Sequence, residues 1–377
     1  MVLEDVCELI ADCPHTTAPD EGKGYPLIRT PNVGKGRLLL EGVHRVSKDI
    51  YDKRNMRAIP QKDDIIFARE APAGNAALIR EGQEVCLGQR TVLIRPDCEK
   101  VFPKYLVYYL LAPEQQYKLL GTANGATVAH VNLLVIRKMP IELPDIDVQQ
   151  KIAGYISIYD DLIENNQKQI KLLEEAAQRL YKEWFIDLRF PGYEETEIID
   201  GVPKDWEKKL IGDIIGKIPR TKQIKTSDYL SEGAIPVVDQ SRDFIAGYTN
   251  DKDSVVNLGI PIIVFGDHTR ILKYIQFPFA KGADGTQLII SDKDNMPQSL
   301  LYLSLKAVDL SNYHYARHFK YLKAEIILVP TQKIGDKFDR IVSPMLNRIQ
   351  KLRDICNKSS QARDRLLPKL LSGEIEV

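Results

Sequence analysis

The chain has 377 residues, 44% of them apolar, enough for two or three domains that each bury a core of their own. Lysine plus arginine equals aspartate plus glutamate at 52 each, which excludes a protein that coats phosphate through overall basicity and confines any nucleic-acid surface to local patches. The five cysteines show no paired spacing, no apolar run approaches membrane-spanning length, and Glu4, Asp5 and Glu8 stand where a secretion signal needs lysine or arginine, so a cytoplasmic protein without membrane contact is expected.

Residues 1–142 read as short strands punctuated by glycine and proline, among them Pro26-Leu27-Ile28-Arg29, Asp64-Ile65-Ile66-Phe67-Ala68 and Gln89-Arg90-Thr91-Val92-Leu93-Ile94. Cys13-Pro14-His15 reads as a turn, since two potential ligands with no second pair nearby make a weak metal site. A helix opened by Pro103 is expected over residues 104–111 and onward through Gln115 to Leu120. Pro144-Asp145-Ile146-Asp147 then launches a long helix within residues 143–190, its acids placed where the helix dipole favours them. After a linker at Asp200-Gly201-Val202-Pro203, residues 191–327 repeat the plan. Strands are expected at Ala234-Ile235-Pro236-Val237-Val238 and Pro261-Ile262-Ile263-Val264-Phe265, and a helix near residues 298–306. A second long helix follows Pro330, within residues 328–377.

The two long helices carry the same seam. Ile152, Ile156, Tyr159, Ile163, Asn166, Ile170, Leu173, Ala177, Leu180 and Trp184 recur at alternating steps of four and three. Phe338, Val342, Met345, Ile349, Leu352, Cys356, Ser359, Arg363, Leu366 and Leu370 repeat those steps 186 residues later, counted from Ile152 to Phe338. A 3.5-residue repeat keeps one stripe facing a partner helix, so each helix demands a companion, and its own copy in the other half is the nearest one. The competing reading is two independent amphipathic helices, each packed on its own domain. With the same offset Ile141 and Leu143 fall on Ile327 and Val329, so the repetition extends beyond the seam.

Catalytic signatures are missing: no glycine-rich dinucleotide or phosphate loop, no His-Glu-x-x-His, and no Asn-Pro-Pro-aromatic tetrapeptide of the kind that holds a flipped base. Pro96-Asp97 and Glu99-Lys100 lack the spacing for two carboxylates on one metal and read as a solvated loop.

Several segments together resemble the specificity subunits of type I restriction-modification enzymes. They are Gly125-Ala126-Thr127-Val128-Ala129-His130-Val131 leading through Pro140-Ile141-Glu142-Leu143-Pro144 to Gln149-Gln150-Lys151-Ile152, and the helix body from Glu174-Glu175 to Trp184-Phe185. Phe265-Gly266-Asp267-His268-Thr269-Arg270 and the ending Arg365-Leu366-Leu367-Pro368-Lys369-Leu370-Leu371-Ser372-Gly373-Glu374-Ile375 belong with them, as do Asp64-Ile65-Ile66-Phe67-Ala68-Arg69 and Leu87-Gly88-Gln89-Arg90. The resemblance implies an α+β chain with two α/β target-recognition domains, separated by two long helices that form an antiparallel coiled coil in a pseudo-twofold tandem duplication. It also implies a non-catalytic subunit that reads a bipartite site in double-stranded DNA and docks two methyltransferase subunits, with restriction and translocase subunits able to join. S-adenosylmethionine, ATP and magnesium would sit on those partners, with no cofactor in this chain. A coiled-coil adapter that binds only proteins, and an enzyme with an unrecognised site such as a nuclease, are the competing readings.

Loops that carry both base-reading forks and phosphate-holding cations are the DNA candidates. In the first lobe these are Lys35, Arg37, Lys53, Arg54, Arg57, Arg69, Gln89 and Arg90; in the second, Gln240, Arg242, His268, Arg270, Lys281 and Gln287. His268, between Asp267 and Thr269, equally suits a turn brace. Tyr313, Tyr315, Arg317, His318, Phe319, Lys320, Tyr321 and Lys323 interleave rings with charges, which suits stacking on nucleic acid or docking the second lobe on its helix. Tyr181, Trp184, Phe185 and Phe190 offer apolar area for a partner subunit or for intramolecular packing.

Overall fold

A computed structural model describes residues 1–121, 130–313 and 317–377. Two compact units emerge: Met1–Ile163 with Asn357–Val377, and Glu164–Cys356. This division differs from the four pieces expected above, because it cuts through both long helices and gives each lobe a share of each. The reason is packing, since each lobe buries its core against the helix segments of its own unit.

The first long helix is Ile146–Tyr181, continued by a π-turn over Lys182–Ile186, and the second is Gln332–Leu371. None of the seam positions is exposed. Within the first unit Ile152, Ala153 and Ile156, from the start of the first helix, share a core with Leu367 and Leu370 from the end of the second. In the second unit Ala177 and Tyr181, late in the first helix, share a core with Phe338, Val342 and Leu346, early in the second. The helices therefore run antiparallel and are each other's companion, and the independent-helix reading fails.

Both lobes are built around a strand buried on its two faces, which is why each reads as a continuous apolar run and not as an alternation. In the first unit the strand Ile65–Ala68 lies in a sheet ordered Cys7–Asp12, Thr91–Pro96, Ile65–Ala68, Ala76–Leu78, Gly36–Arg37. Ile65 and Phe67 face the helix-side core, whereas Ile66 and Ala68 face a second apolar layer with Ile28, Val33 and Leu93. The second unit repeats this in Ile262–Gly266, flanked by Leu272–Ile275 and Thr286–Ile289. Ile263 and Phe265 turn toward the helices, Ile262 and Val264 toward Val238, Val256 and Phe279.

The lead-ins repeat as well: Glu207–Leu210 pairs with Ile326–Val329, and at the start of the chain Leu3 N and Met1 O bond to Met139 and Ile141. One expected helix is two. Pro103–Leu111 stops at an extended Ala112 and Pro113–Gly121 begins anew, because proline disfavours helical backbone in the residue before it and supplies no N–H.

The irregular seam position Arg363 has a partner of its own. Its guanidinium donates to Asp160 Oδ1 at 2.7 Å, while Tyr108 OH, from the lobe helix Pro103–Leu111, donates to Asp160 Oδ2 at 2.6 Å. Burial, reinforced by Asp160, pushes the Tyr108 phenol well above its ordinary value and keeps it a donor. In the second unit Arg353 bonds Glu174 at 2.7 Å and lays its guanidinium over Phe244. Truncating Arg363 leaves a largely enclosed carboxylate with one donor fewer, so Arg363→Ala is expected to cost about 2–4 kcal/mol. Scanning calorimetry should record a clear drop in unfolding temperature, and an unchanged trace would contradict this role.

Candidate nucleic-acid interface

In the first unit the loop that follows strand Cys7–Asp12 gathers most of the expected residues, but not in the expected role. Arg54, buried at the end of helix Lys48–Arg54, donates to Leu87 O at 2.5 Å, Thr16 O at 3.0 Å and Pro14 O at 3.2 Å. Arg69 is also buried. It donates to both Asp12 oxygens at 3.0 Å, to Val131 O at 2.9 Å and to His130 Nε2 at 3.0 Å. These two arginines clamp the loop from inside, so their assignment as DNA contacts is corrected: a guanidinium enclosed by carbonyls and a carboxylate has no face left for a phosphate.

Arg57 and Gln89 secure the same loop from its rim. Arg57 donates to Asp12 O at 3.1 Å, and Gln89 donates to His15 O at 3.0 Å. Lys53 and Arg90 are exposed at this end. Arg90 holds a left-handed backbone (φ 64°), uncommon for a long side chain, with its carbonyl accepting from Arg69 N. Lys35 and Arg37 lie elsewhere, Arg37 half-buried on strand Gly36–Arg37 and Lys35 lining a crevice beside Tyr108, Asp160 and Arg363. Cys13-Pro14-His15, read as a turn, is irregular chain that enters a bend at His15-Thr16, and among the described residues no three His, Cys, Asp or Glu side chains are grouped as metal ligands. The Gly125–Ala129 part of the joint motif, like Tyr315, lies outside the described residues.

The second unit braces its loops by the same logic with different residues. Lys273 is buried and donates to Asp239 O at 2.8 Å and to Asp243 O; burial holds its ammonium below the ordinary lysine value. Gln240 ties three loops, accepting from His268 N at 3.0 Å and Thr269 Oγ1 at 2.6 Å and donating to Asp284 O at 2.8 Å. This closeness admits only glycine at 285, where φ is +83° and a Cβ would stand 2.6 Å from the His268 ring. The turn is thus held by Gln240 and Thr269 while the His268 ring is exposed, as is Arg242. Arg270, again left-handed (φ 60°), donates to Leu310 O at 2.9 Å. Lys281 and Gln287 line a crevice of about 520 Å³ with Arg220 and do not join the Gln240 loops.

Two further expectations change. Tyr181, Trp184, Phe185 and Phe190 are buried among Phe338, Trp206 and Leu300, so they pack intramolecularly and present no face to a partner. The π-turn shifts the helix phase so that the consecutive Trp184 and Phe185 both enter that core. Apolar area left open on the helices is found instead at Tyr155, Ile158 and Leu162, 52%, 63% and 41% exposed. The ring-rich segment docks inward: Tyr313 stacks on Tyr321 at 4.2 Å, Phe319 packs near Phe265, and His318 is buried with its N–H on Asp267 O. Glu70, His130, Asp267 and Lys273 were not singled out from sequence as site residues. Only Lys273 carried a signal, a cation inside an otherwise apolar strand.

Residues 1–175 match the family model for the type I restriction modification DNA specificity domain. Over 363 residues the chain is 27% identical to the type I restriction enzyme MjaIX specificity subunit of Methanocaldococcus jannaschii, an alignment spanning 89% of this chain and 83% of that one. The MjaVIII specificity subunit of the same organism is 23% identical over 354 residues, spanning 86% of this chain and 81% of the relative. The crystal structure of a type I restriction-modification S subunit from M. genitalium shares the fold with a TM-score of 0.58 at 16% identity, covering 98% of this chain and 95% of that chain.

Brace and surface residues should separate in stability measurements. Arg54→Ala removes three carbonyl partners at once and is expected to cost about 2–4 kcal/mol, whereas Arg242→Ala should stay within about 0.5 kcal/mol of the parent. Denaturant titration of both variants checks this, and equal losses would contradict the assignment.

Proposed function

We propose that the chain is a specificity subunit of a type I restriction-modification system, a reading supported by the family match over residues 1–175 and by the relatives above, in which each lobe reads one half of a split site in double-stranded DNA while the helix pair sets the distance between the halves. The observation that carries this reading is the duplicated plan: two lobes with the same two-sided strand, each holding a set of loops stiffened by buried cations, on helices that repeat one seam. Loops braced from within keep their outward side chains preorganised, which is what base readout requires. Lys53, Arg57, Gln89 and Arg90 in one lobe, and Arg242, His268 and Arg270 in the other, are the outward groups.

The chain performs no chemistry of its own in this reading. Two methyltransferase subunits supply S-adenosylmethionine chemistry, and restriction and translocase subunits that use ATP and magnesium join the assembly. Tyr155, Ile158 and Leu162, three and four residues apart on one helix face, form the apolar stripe on which a methyltransferase subunit seats.

Mapping methylated positions in DNA from cells that carry this chain with its cognate methyltransferase tests the whole reading. A motif of two short specified halves around an unspecified spacer is expected, and a single continuous motif would refute it. An adapter that binds only proteins would associate independently of salt, whereas DNA binding through phosphates weakens steeply as salt rises.

Three outcomes follow for variants. Arg242→Ala should reduce DNA affinity and lower the salt dependence by about one phosphate contact, measured by titration at several salt concentrations. Ile158→Asp should abolish co-purification of the methyltransferase while the chain's melting temperature stays put. Inserting four residues after Gln169 and four near Ile355 adds roughly 6 Å to the helix pair, at 1.5 Å per residue. The four-residue stutter will also rotate the lobes somewhat. The spacer should lengthen by about one or two base pairs of 3.4 Å, with both half-sites unchanged. Methylation mapping that shows the original spacer in an active complex would mean the helices are not the ruler.

A further inference from the structure

Arg90 is the outermost member of a chain of alternating charge. Asp12 holds Arg69, Arg69 donates to His130 Nε2, His130 Nδ1 lies 2.6 Å from Glu70 Oε1, and Glu70 Oε2 lies 2.6 Å from Arg90 Nη1. A guanidinium can only donate, so His130 Nε2 accepts and the ring proton sits on Nδ1, aimed at Glu70. The Glu70 carboxylate is thereby fixed from behind by a neutral donor and keeps its negative charge for Arg90. Exposure separates the two ends, since the Glu70 side chain is 15% exposed and that of Arg90 60%. The cation that faces solvent is tied down by a carboxylate that hardly does.

This arrangement has no evident value for holding the lobe together, because a pair with one partner this exposed contributes little to stability. It does have a consequence for binding. A phosphate that approaches Arg90 meets the full negative charge of Glu70 beside it, a repulsion that every backbone contact incurs. The guanine edge is uncharged, and its O6 and N7 can take the guanidinium N–H groups that Glu70 leaves free, so a base contact keeps the Glu70 pair and avoids that repulsion.

On the strength of the function proposed above, we infer that Glu70 is a specificity-determining residue that holds Arg90 back from non-cognate DNA. It acts through Arg90 and His130 without itself contacting a base. Glu70→Gln keeps the size of the side chain and an acceptor for His130 but removes the charge.

The experiment compares the parent and Glu70→Gln chains, each assembled with the cognate methyltransferase, on a random-sequence duplex and on a duplex carrying the motif mapped in cells. Affinity for the random duplex should rise about three- to tenfold, with its salt dependence steepened by about one phosphate contact, while cognate affinity stays within about twofold. Adding Arg90→Ala to Glu70→Gln should erase the gain, which ties it to Arg90 and not to a general loss of negative charge. A random-duplex affinity that does not change, or a cognate affinity that falls alone because Glu70 reads a base, overturns the inference. Arg90→Gln with Glu70 intact gives an independent measurement should the first variant fold poorly: cognate affinity should fall by at least threefold while random-duplex binding stays within about twofold, and an unchanged cognate affinity, or an equal loss on both duplexes, overturns the inference. If the parent complex shows no salt-dependent DNA binding at all, the functional reading itself fails, an outcome distinct from parent binding that Glu70→Gln leaves untouched.

Discussion

Two apolar stripes of identical spacing, too long for any lobe to cover, can leave water together only by lying against each other, and that constraint organises everything else in the chain. Once the helices pair antiparallel, the beginning of one and the end of the other form a platform for one lobe, while the remaining segments form a platform for the second. Each lobe then needs a sheet whose one face fits the platform and whose other face supports loops. The central strands Ile65–Ala68 and Ile262–Gly266 meet both demands, sending alternate side chains to opposite cores.

Beyond those strands the lobes solve a common problem with different residues. The loops at the ends of these strands lie outside the apolar layers that stiffen the rest of the lobe and need another source of rigidity. Buried cations with carbonyl partners supply the rigidity: Arg54 and Arg69 in one lobe, Lys273 in the other. Arg54 and Lys273 each gather two or three backbone acceptors, and Arg69 joins the Val131 carbonyl to the Asp12 carboxylate, so that all three cross-link segments distant in sequence. The outward residues can then vary without loosening the loop that carries them.

This also explains what was legible in the sequence. Periodicity survives folding, so the long helices, their seam, the main strands and the duplicated order were all readable before any coordinates. The break at Ala112 was missed: Pro113 marks it, but the helix-forming residues on both sides read as one helix. The role of an arginine was not. Arg54 and Arg69, which clamp from inside, are written in the same loop-like context as Arg57 and Arg90, and only the position of the Asp12–Thr16 segment distinguishes them. The aromatic residues at the end of the first long helix were ambiguous for a related reason. A ring at a helix end suits a partner or a lobe equally well until Phe338 and Trp206 are seen beside it. Glu70 and His130 are 60 residues apart in sequence, and nothing local to either predicts that they meet.

The two ion pairs along the seam are not mirror images, and this bears on which helices can pair. In both units the acid belongs to the first long helix and the arginine to the second: Asp160 with Arg363, Glu174 with Arg353. Under the 186-residue repeat, Arg363 corresponds to Ala177 and Arg353 to Gln167. Two copies of the first helix laid together would therefore set Asp160 against alanine and Glu174 against glutamine, stranding a carboxylate at each end. Pairing two copies of the second helix would strand arginines in the same way. The duplication has thus lost its interchangeability: the seam still fits any copy by shape, but charge admits only the unlike half, so neither helix is suited to pair with a second copy of itself.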